Sequence, residues 1–330
     1  MKKILIIRFS SFGDVVQAMN SSRALKLNFP EAKITWLTKK MFADFLQAES
    51  SVDEVITLED FNSSIWKIKG YIIKEKFDFI YDAHRNLRTF ILRISLLLHF
   101  QFSKWIYRPK SRFKRFLLFN FKINLLPRPF YARDSYLTPI ECILGKKMEF
   151  DQANFTINFS RMAIENFPFT QKPYLLFAPS AAWEMKRWPI DYWRHLIDKI
   201  SQKITVVLVG GSNDLFIKDL YQENNSNVID LTGRTSFLET FFLVQHSIYT
   251  LSADTGVIHV AELLNKAGGH LLGPTAFGRT KNKNIKIFEA DLSCRPCSKD
   301  GRGNCKRKIY QECMKLLKPD MVESDILKYI

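Results

Sequence analysis

The chain has 330 residues, 46% of them hydrophobic, and a formal net charge of +16. That length and apolar content suit an enzyme of one large or two medium domains, with material for two cores. No stretch reaches the ~18 uninterrupted apolar residues of a membrane span: the nearest, Phe90 to Phe102, contains Arg93, and the opening MKKILIIRFSSFGD is broken by Arg8 too early for a signal peptide, so a soluble cytoplasmic chain is expected.

In chain order, Ile4 to Arg8 reads as a buried first strand that ends in a polar, Gly-containing turn. A helical pattern follows from about Val15 to Asn28, then a strand at Lys33 to Leu37, a helical stretch around Phe42 to Gln47, and a strand at Val55 to Leu58. A helix through Lys67 to Lys76 leads to a fourth strand, Phe77 to Tyr81. After a polar, Pro-containing stretch around Asp151 to Lys172 the pattern restarts. Strands are expected at Tyr174 to Phe177, Thr205 to Val209, Val228 to Asp230, Ser247 to Leu251 and His270 to Leu272, with a helix near Tyr192 to Ile200. Strand–helix alternation of this kind implies parallel sheets covered by helices. Two successive sets imply two doubly wound domains facing across a cleft, residues 1–160 and 161–315. Each offers a crevice at the carboxyl ends of its strands. A terminal helix, about 316–330, is expected to pack back on the first domain.

Four constellations sit at strand ends. Ser10-Ser11-Phe12-Gly13-Asp14 follows the first strand; Asp14 either caps the next helix or acts as a general base at the cleft. Pro179-Ser180-Ala181-Ala182-Trp183-Glu184-Met185-Lys186-Arg187-Trp188-Pro189 is a loop carrying two cations, in which Lys186 or Arg187 can neutralise a diphosphate; the alternative is an ordinary basic loop. Val209-Gly210-Gly211-Ser212-Asn213-Asp214 lacks the full dinucleotide glycine spacing. Asp214 can hold a ribose or merely close an Asx turn. Ser252-Ala253-Asp254-Thr255-Gly256-Val257-Ile258-His259 opens a helix whose N-terminal amides suit a phosphate. His259 lies four residues beyond Thr255 and so on the same side. Gly273-Pro274-Thr275 is a further strand-end turn that can line the same pocket.

The order IIRFSSFGDVV, PSAAWEMKRWP, VGGSND, SADTGVIHVAELL and GPT resembles glycosyltransferase family 9, the bacterial heptosyltransferases, through nearly the whole chain. The resemblance implies a GT-B fold of two Rossmann-like domains and an inverting transfer without a catalytic metal. ADP-heptose is then the donor and inner-core lipopolysaccharide the acceptor. It implies Asp14 as general base and Lys186 as the phosphate-neutralising cation. Ser10, Ser11, Gly13, Ser180, Asp214, Asp254, Thr255, Gly256 and His259 fall on the donor side; several relatives have Glu where this chain has Asp214.

Charge is uneven: between Lys67 and Lys122 fourteen Lys and Arg stand against Glu75, Asp78 and Asp82. Such a block predicts an anionic partner; the alternative is a solvated basic face. With the resemblance it suits an anionic glycolipid, received by Arg85 and Arg88, and peripheral association with the inner face of the cytoplasmic membrane. Arg112, Lys114 and Arg115, interleaved with Phe113, Phe116 and Phe119, read as a membrane-facing patch. No nucleic-acid motif accompanies the charge, so nucleic acid is not an expected partner. Competing readings are another nucleotide sugar, a protein acceptor, or a non-catalytic sugar-binding relative. Cys294, Cys297, Cys305 and Cys313 can chelate a structural zinc or iron tetrahedrally, remain thiols, or form disulfides. Cys142 is expected to be an unrelated buried thiol.

Overall fold

The computed structural model describes residues 2–98, 104–145, 147, 156–159, 166–222, 224–275 and 277–330. The end of the stretch Phe90 to Phe102 and the start of the polar stretch after Asp151 lie outside the described residues, as does the boundary placed at 160. The chain divides into two compact units, Met1–Lys110 with Arg133–Phe159, and Ser111–Ala132 with Ser160–Ile330.

The first unit is built on five parallel strands: β1 (Lys3–Ile7), β2 (Lys33–Thr38), β3 (Glu54–Thr57), β4 (Phe79–Asp82) and β5 (Lys104–Tyr107), in spatial order β3-β2-β1-β4-β5. The central β1 reads KILII because a parallel strand covered on both faces has no polar side; Ile4 to Ile7 are all buried. Helix α1 (Phe12–Asn28) follows, then the short α2 (Ala43–Gln47), α3 (Ile65–Glu75) and α4 (Leu87–Leu97). From Val15 to Leu25 α1 is buried all round, polar residues included. Those polar groups must therefore be answered internally. Asn20 donates to Gln17 O and Ser22 to Met19 O, and Arg23 grips Glu49 through Nε (3.2 Å) and Nη2 (2.7 Å).

The chain leaves this unit at Lys110 for an excursion through α5 (Arg112–Phe121), and returns with α6 (Ala132–Leu144). The excursion belongs to the second unit, so the first unit is interrupted between Lys110 and Arg133. Phe119 and Arg115 pack on Phe277, and Lys122 donates to Cys294 O. Cys142, expected to be buried, is exposed on α6.

The second unit carries β6 (Tyr174–Ala178), α7 (Ile190–Ser201), β7 (Thr205–Leu208), β8 (Val228–Asp230), α8 (Phe237–His246), β9 (Tyr249–Ala253), α9 (Gly256–Leu263), β10 (Gly268–Leu271), β11 (Ile285–Phe288), the one-turn α10 (Glu312–Lys315) and α11 (Pro319–Ile326). Its six strands are parallel, in order β11-β10-β9-β6-β7-β8. Trp188 and Trp193 meet edge to face at 5.1 Å in its core. A Cβ on Gly268 would stand 2.6 Å from Thr250 O, so β9 and β10 pair this closely only because β10 begins with glycine. The terminal helix does not follow the expected course: α11 is fastened within this unit. Tyr249 donates to Asp325 (2.9 Å) at its C-terminal end, Lys199 of α7 pairs with Glu323, and Trp188 Nε1 donates to Leu317 O just before it.

In each sheet the strand order reverses beside the first strand of the set, between β1 and β4 and between β6 and β9. Loops leaving these strands diverge to opposite sides and open a crevice at their carboxyl ends. Asp14 follows β1, Ser180 to Lys186 follow β6, and Asp254 follows β9. The Arg23–Glu49 pair is sealed from water, with side chains at most 1% exposed. Removing one partner leaves a buried charge unanswered. Glu49→Ala is expected to cost about 3–5 kcal/mol, read as a lower urea midpoint at unchanged slope.

Candidate active site

In the first unit, Ser10 and Ser11 form the turn from β1 into α1, with Ser11 at the N-cap and Gly13 in the first helical turn. Asp14 lies in the first helical turn, where the helix dipole favours a negative charge. Its Oδ2 accepts from Ser11 N (3.3 Å) and Ser11 Oγ (3.0 Å), and lies 2.6 Å from Arg8 Nη2. Its Oδ1 accepts from Tyr136 Oη (2.7 Å) and lies 3.6 Å from Arg108 Nη1. Burial pushes the Asp14 carboxyl up, but Arg8, Arg108, Tyr136 and Ser11 together outweigh it and hold the carboxyl well below the usual range. The group is a permanent carboxylate about a third exposed, 35% by side chain. It also closes the capping box of its helix.

Sequence reasoning missed Arg8, Arg108 and Tyr136. Arg8 carries a signal, a charge closing an apolar strand, buried here with Nη1 donating to Ala83 O (2.6 Å). Tyr136 lies 122 residues from Asp14 and carries none. Its ring is covered by the Arg108 guanidinium at 3.7 Å, and its phenol stays protonated because burial raises it. Arg85 and Arg88 lie elsewhere on the same rim: Arg85 stacks over Tyr107 (4.5 Å) and Arg88 over Phe9 (5.9 Å). Between β4 and α4, Asp82 accepts from His84 N and Arg85 N, and burial beside Arg8 pushes His84 down to about 4, so its imidazole is neutral.

In the second unit the centre is Asp254. Its Oδ2 takes Thr275 Oγ1 (2.6 Å) and Lys186 Nζ (3.1 Å), and its Oδ1 faces His259 Nε2 (3.6 Å). His259 Nδ1 in turn faces Glu262 Oε2 (3.6 Å), and Lys281 N donates to Glu262 Oε1. Lys186, Asp254, His259 and Glu262 thus form an alternating chain of charges that sums to zero. Burial alone would push His259 down, but Asp254 and Glu262 raise it to about 9; Lys186 and His259 hold Asp254 well below the usual carboxylate range against its own burial. His259 therefore faces inward, paired and buried. Thr255 caps α9, accepting from Val257 N, and its hydroxyl meets Ser252 Oγ at 2.8 Å; Gly256 is the first helical residue. Asp214 closes its own turn by accepting from Gly211 N (2.8 Å), with Arg187 Nη2 3.8 Å from its other oxygen. Ser180 is half-buried just after β6.

Of the alternatives open for the C-terminal cysteines, the structure has free thiols. Among the described residues no group of three His, Cys, Asp or Glu is placed to hold a metal ion. Cys305 turns to Ile309 O, and Cys313 is buried, its thiol pushed up to about 11 by burial. All five cysteines are free, and no disulfide forms.

A profile described as glycosyltransferase family 9 (heptosyltransferase) matches residues 71–307. Lipooligosaccharide heptosyltransferase 2 of Campylobacter jejuni subsp. jejuni is 27% identical over 151 residues, 43% of this chain and less than half, 46%, of that protein. Lipooligosaccharide heptosyltransferase 2 of Haemophilus ducreyi is 23% identical over 353 residues, 98% of each chain. A solved structure of the Escherichia coli ADP-heptose LPS heptosyltransferase II matches with a TM-score of 0.74 at 18% identity, covering 100% of this chain and 98% of that one. That likeness shows the fold, two doubly wound α/β domains of the GT-B class.

The charged state of His259 makes stability depend on pH in a stated direction. Its folded value, about 9, lies above the ordinary imidazole value of about 6.5. Its contribution is fully present below about 6.5 and is lost as pH rises through 9. Denaturant midpoints are expected to fall across that window, less steeply in His259→Gln, and the His259 ring resonance to titrate near 9. A midpoint near 6.5 refutes the charge chain.

Proposed function

Because the chain belongs to glycosyltransferase family 9, we propose that it transfers heptose from ADP-heptose to an inner-core lipopolysaccharide acceptor, inverting the anomeric centre with Asp14 as base and needing no cofactor. The observation that carries this reading is the pair of charge clusters at the two switch points, a permanent carboxylate in one unit and a lysine beside a helix N-terminus in the other.

The acceptor oxygen attacks the anomeric carbon, the bond from that carbon to the diphosphate oxygen breaks, ADP departs with the electron pair, and the hydroxyl proton passes to Asp14. So low a basicity would handicap early proton abstraction. With an oxocarbenium-like transition state, bond formation comes first and leaves a strongly acidic oxonium, for which a weak base suffices. Arg8 and Arg108 keep Asp14 deprotonated, and Tyr136 and Ser11 fix its orientation. On the donor side the Gly256 amide, first of the helix, receives the diphosphate at the positive end of α9, while the Thr255 amide is already bonded to Ala253 O. Lys186 shares its charge between Asp254 and the leaving phosphate. Asp254 and His259 are positioning residues: buried and already paired, they hold Lys186 and the helix start in place. Asp214 uses the oxygen not bound to Gly211 for the ribose.

Support for a glycolipid acceptor at a membrane surface comes from α4. Its inner face, Leu92 and Leu96, is core, yet Leu87, Phe90, Ile91, Ile94, Leu97 and Leu98 form a second apolar stripe at helical spacing that faces outward, Leu87 and Leu98 being 72% and 73% exposed. Arg88 and Arg93 accompany it. On α5 Phe113, Phe116 and Phe121 are likewise exposed among Arg112, Lys114 and Lys122. Apolar side chains flanked by cations suit an anionic lipid surface. No helix among the described residues is long and apolar enough to cross a membrane.

Asp14→Asn keeps the shape of the group and removes its basicity. Transfer from ADP-heptose is expected to fall about 10²–10⁴-fold, with ADP affinity unchanged; a variant that turns over at the parental rate overturns the assignment. Phe90→Ser with Leu97→Ser is expected to weaken co-sedimentation with vesicles containing anionic phospholipid at least about tenfold, and raised salt to weaken it further. Salt-independent binding that survives both substitutions excludes this surface.

A further inference from the structure

The Lys186 side chain is held at both ends. At its base, Lys186 N donates to Trp183 O (3.0 Å), and the carbonyl of Glu184 in the same turn accepts from Gln311 Nε2. At its tip, Nζ lies 3.1 Å from Asp254 Oδ2. Against the middle of the shaft lies the loop Ser298–Arg302. A Cβ on Gly301 would stand 2.6 Å from Lys186 Cγ, 2.8 Å from Lys186 Cδ and 3.2 Å from Trp183 Cβ. A lysine with a free tip swings away from such a contact. This one cannot move its shaft without breaking the ion pair to Asp254. Gly301 also has φ +93°, a backbone conformation that favours glycine. Gly303, with φ +92°, shares that conformation, but a Cβ there would meet nothing within 4 Å.

The loop is itself anchored. Ser298 Oγ accepts from Gly301 N (2.9 Å) and donates to Arg302 O (3.0 Å), closing the turn on which Gly301 sits. Cys297 N and Ser298 N donate to Pro274 O (3.1 and 3.2 Å). The next residue, Thr275, is the one whose hydroxyl holds Asp254 Oδ2 (2.6 Å). The wall beside the Lys186 shaft and the acid at its tip are thus fastened to the same two residues, Pro274 and Thr275. On the outer side the Arg302 guanidinium lies over the Trp183 ring (5.0 Å) and pairs with Asp300 Oδ2 (2.8 Å).

We infer that the loop Ser298–Arg302 is the seat of Lys186 and that Gly301 is its positioning residue: the bare Cα at 301 leaves the one path along which the lysine shaft reaches Asp254. A lysine is a point charge on a flexible stem, and its freedom is lost when it meets a phosphate. A wall along the stem removes that freedom before the ligand arrives. The segment between Cys297 and Cys305 therefore serves the cation through its backbone, with no demand on the thiols. The seat stands on the geometry around Lys186; its effect on a diphosphate rests on the proposed transferase reading.

Two measurements on the full chain separate the seat from its effect. The first is the rate at which N-hydroxysuccinimide acetate acetylates Lys186, followed by mass spectrometry, which reports the cover and pairing of Nζ without any ligand. The second is calorimetric affinity for ADP, with adenosine as the probe that lacks phosphates. Gly301→Ala is expected to speed Lys186 acetylation and to weaken ADP, each at least about tenfold, with adenosine affinity unchanged. Gly303→Ala puts the same backbone strain just beyond the loop but meets no neighbour, and both readouts are expected to stay at parental values. Ser298→Ala opens the loop without adding a collision. It is expected to move both readouts in the same direction by about threefold, and it decides the matter where Gly301→Ala does not fold. In a Lys186→Met background Gly301→Ala is expected to add no further loss of ADP affinity. Lys186 acetylation at the parental rate in Gly301→Ala or Ser298→Ala, an equal change in Gly303→Ala, or an ADP loss that persists in the Lys186→Met background overturns the inference. If acetylation responds as expected while ADP affinity does not, the seat stands and the assignment of Lys186 to the diphosphate falls.

Discussion

An ionised carboxylate sealed at the end of a parallel strand has to be answered on every side, and Asp254 imposes that demand on the second unit. Thr275 reaches it from the turn after β10, Lys186 from the loop after β6, and His259 from the first turns of α9. Gly278 passes so close that any side chain there would collide with its oxygens. Three strand-end loops that share no sequence are thereby fixed to one atom group. A lysine on one of these loops is thereby held in a fixed position by an acid on another.

Asp14 follows the same rule with different company. Two arginines, a phenol and a helix N-terminus gather around it, but it keeps an open side where Asp254 has almost none. Openness separates a carboxylate that can meet a substrate from one that can only arrange its neighbours.

Much of this was legible in the sequence. The eleven strands among the described residues include nine expected from apolar runs, because buried parallel strands are continuous hydrophobic segments whose ends are marked by turns. The two missed, β5 (KWIY) and β11 (IKIF), are edge strands: charges interrupt them and only one neighbour pairs with them. The strand-end motifs marked both switch points because a loop that must turn sharply from a strand into a helix has few residue choices. Partners were harder. Tyr136 and Arg108 reach Asp14 through tertiary packing that leaves no spacing behind, and α1, buried on all faces, shows none of the amphipathic periodicity that locates helix partners. The excursion was invisible as such because its basic, aromatic composition continues that of the unit it leaves.

That excursion has a consequence for biosynthesis. The segment Ser111–Ala132 is made with the first unit but packs with the second, so Phe119 and Arg115 must wait for Phe277 to emerge. At about 5–20 residues per second the interval is on the order of ten seconds. Through that time a phenylalanine-rich basic helix hangs from a partly finished chain with its eventual protein contact unmade. A nascent chain in that condition has a strong reason to avoid meeting another copy of itself.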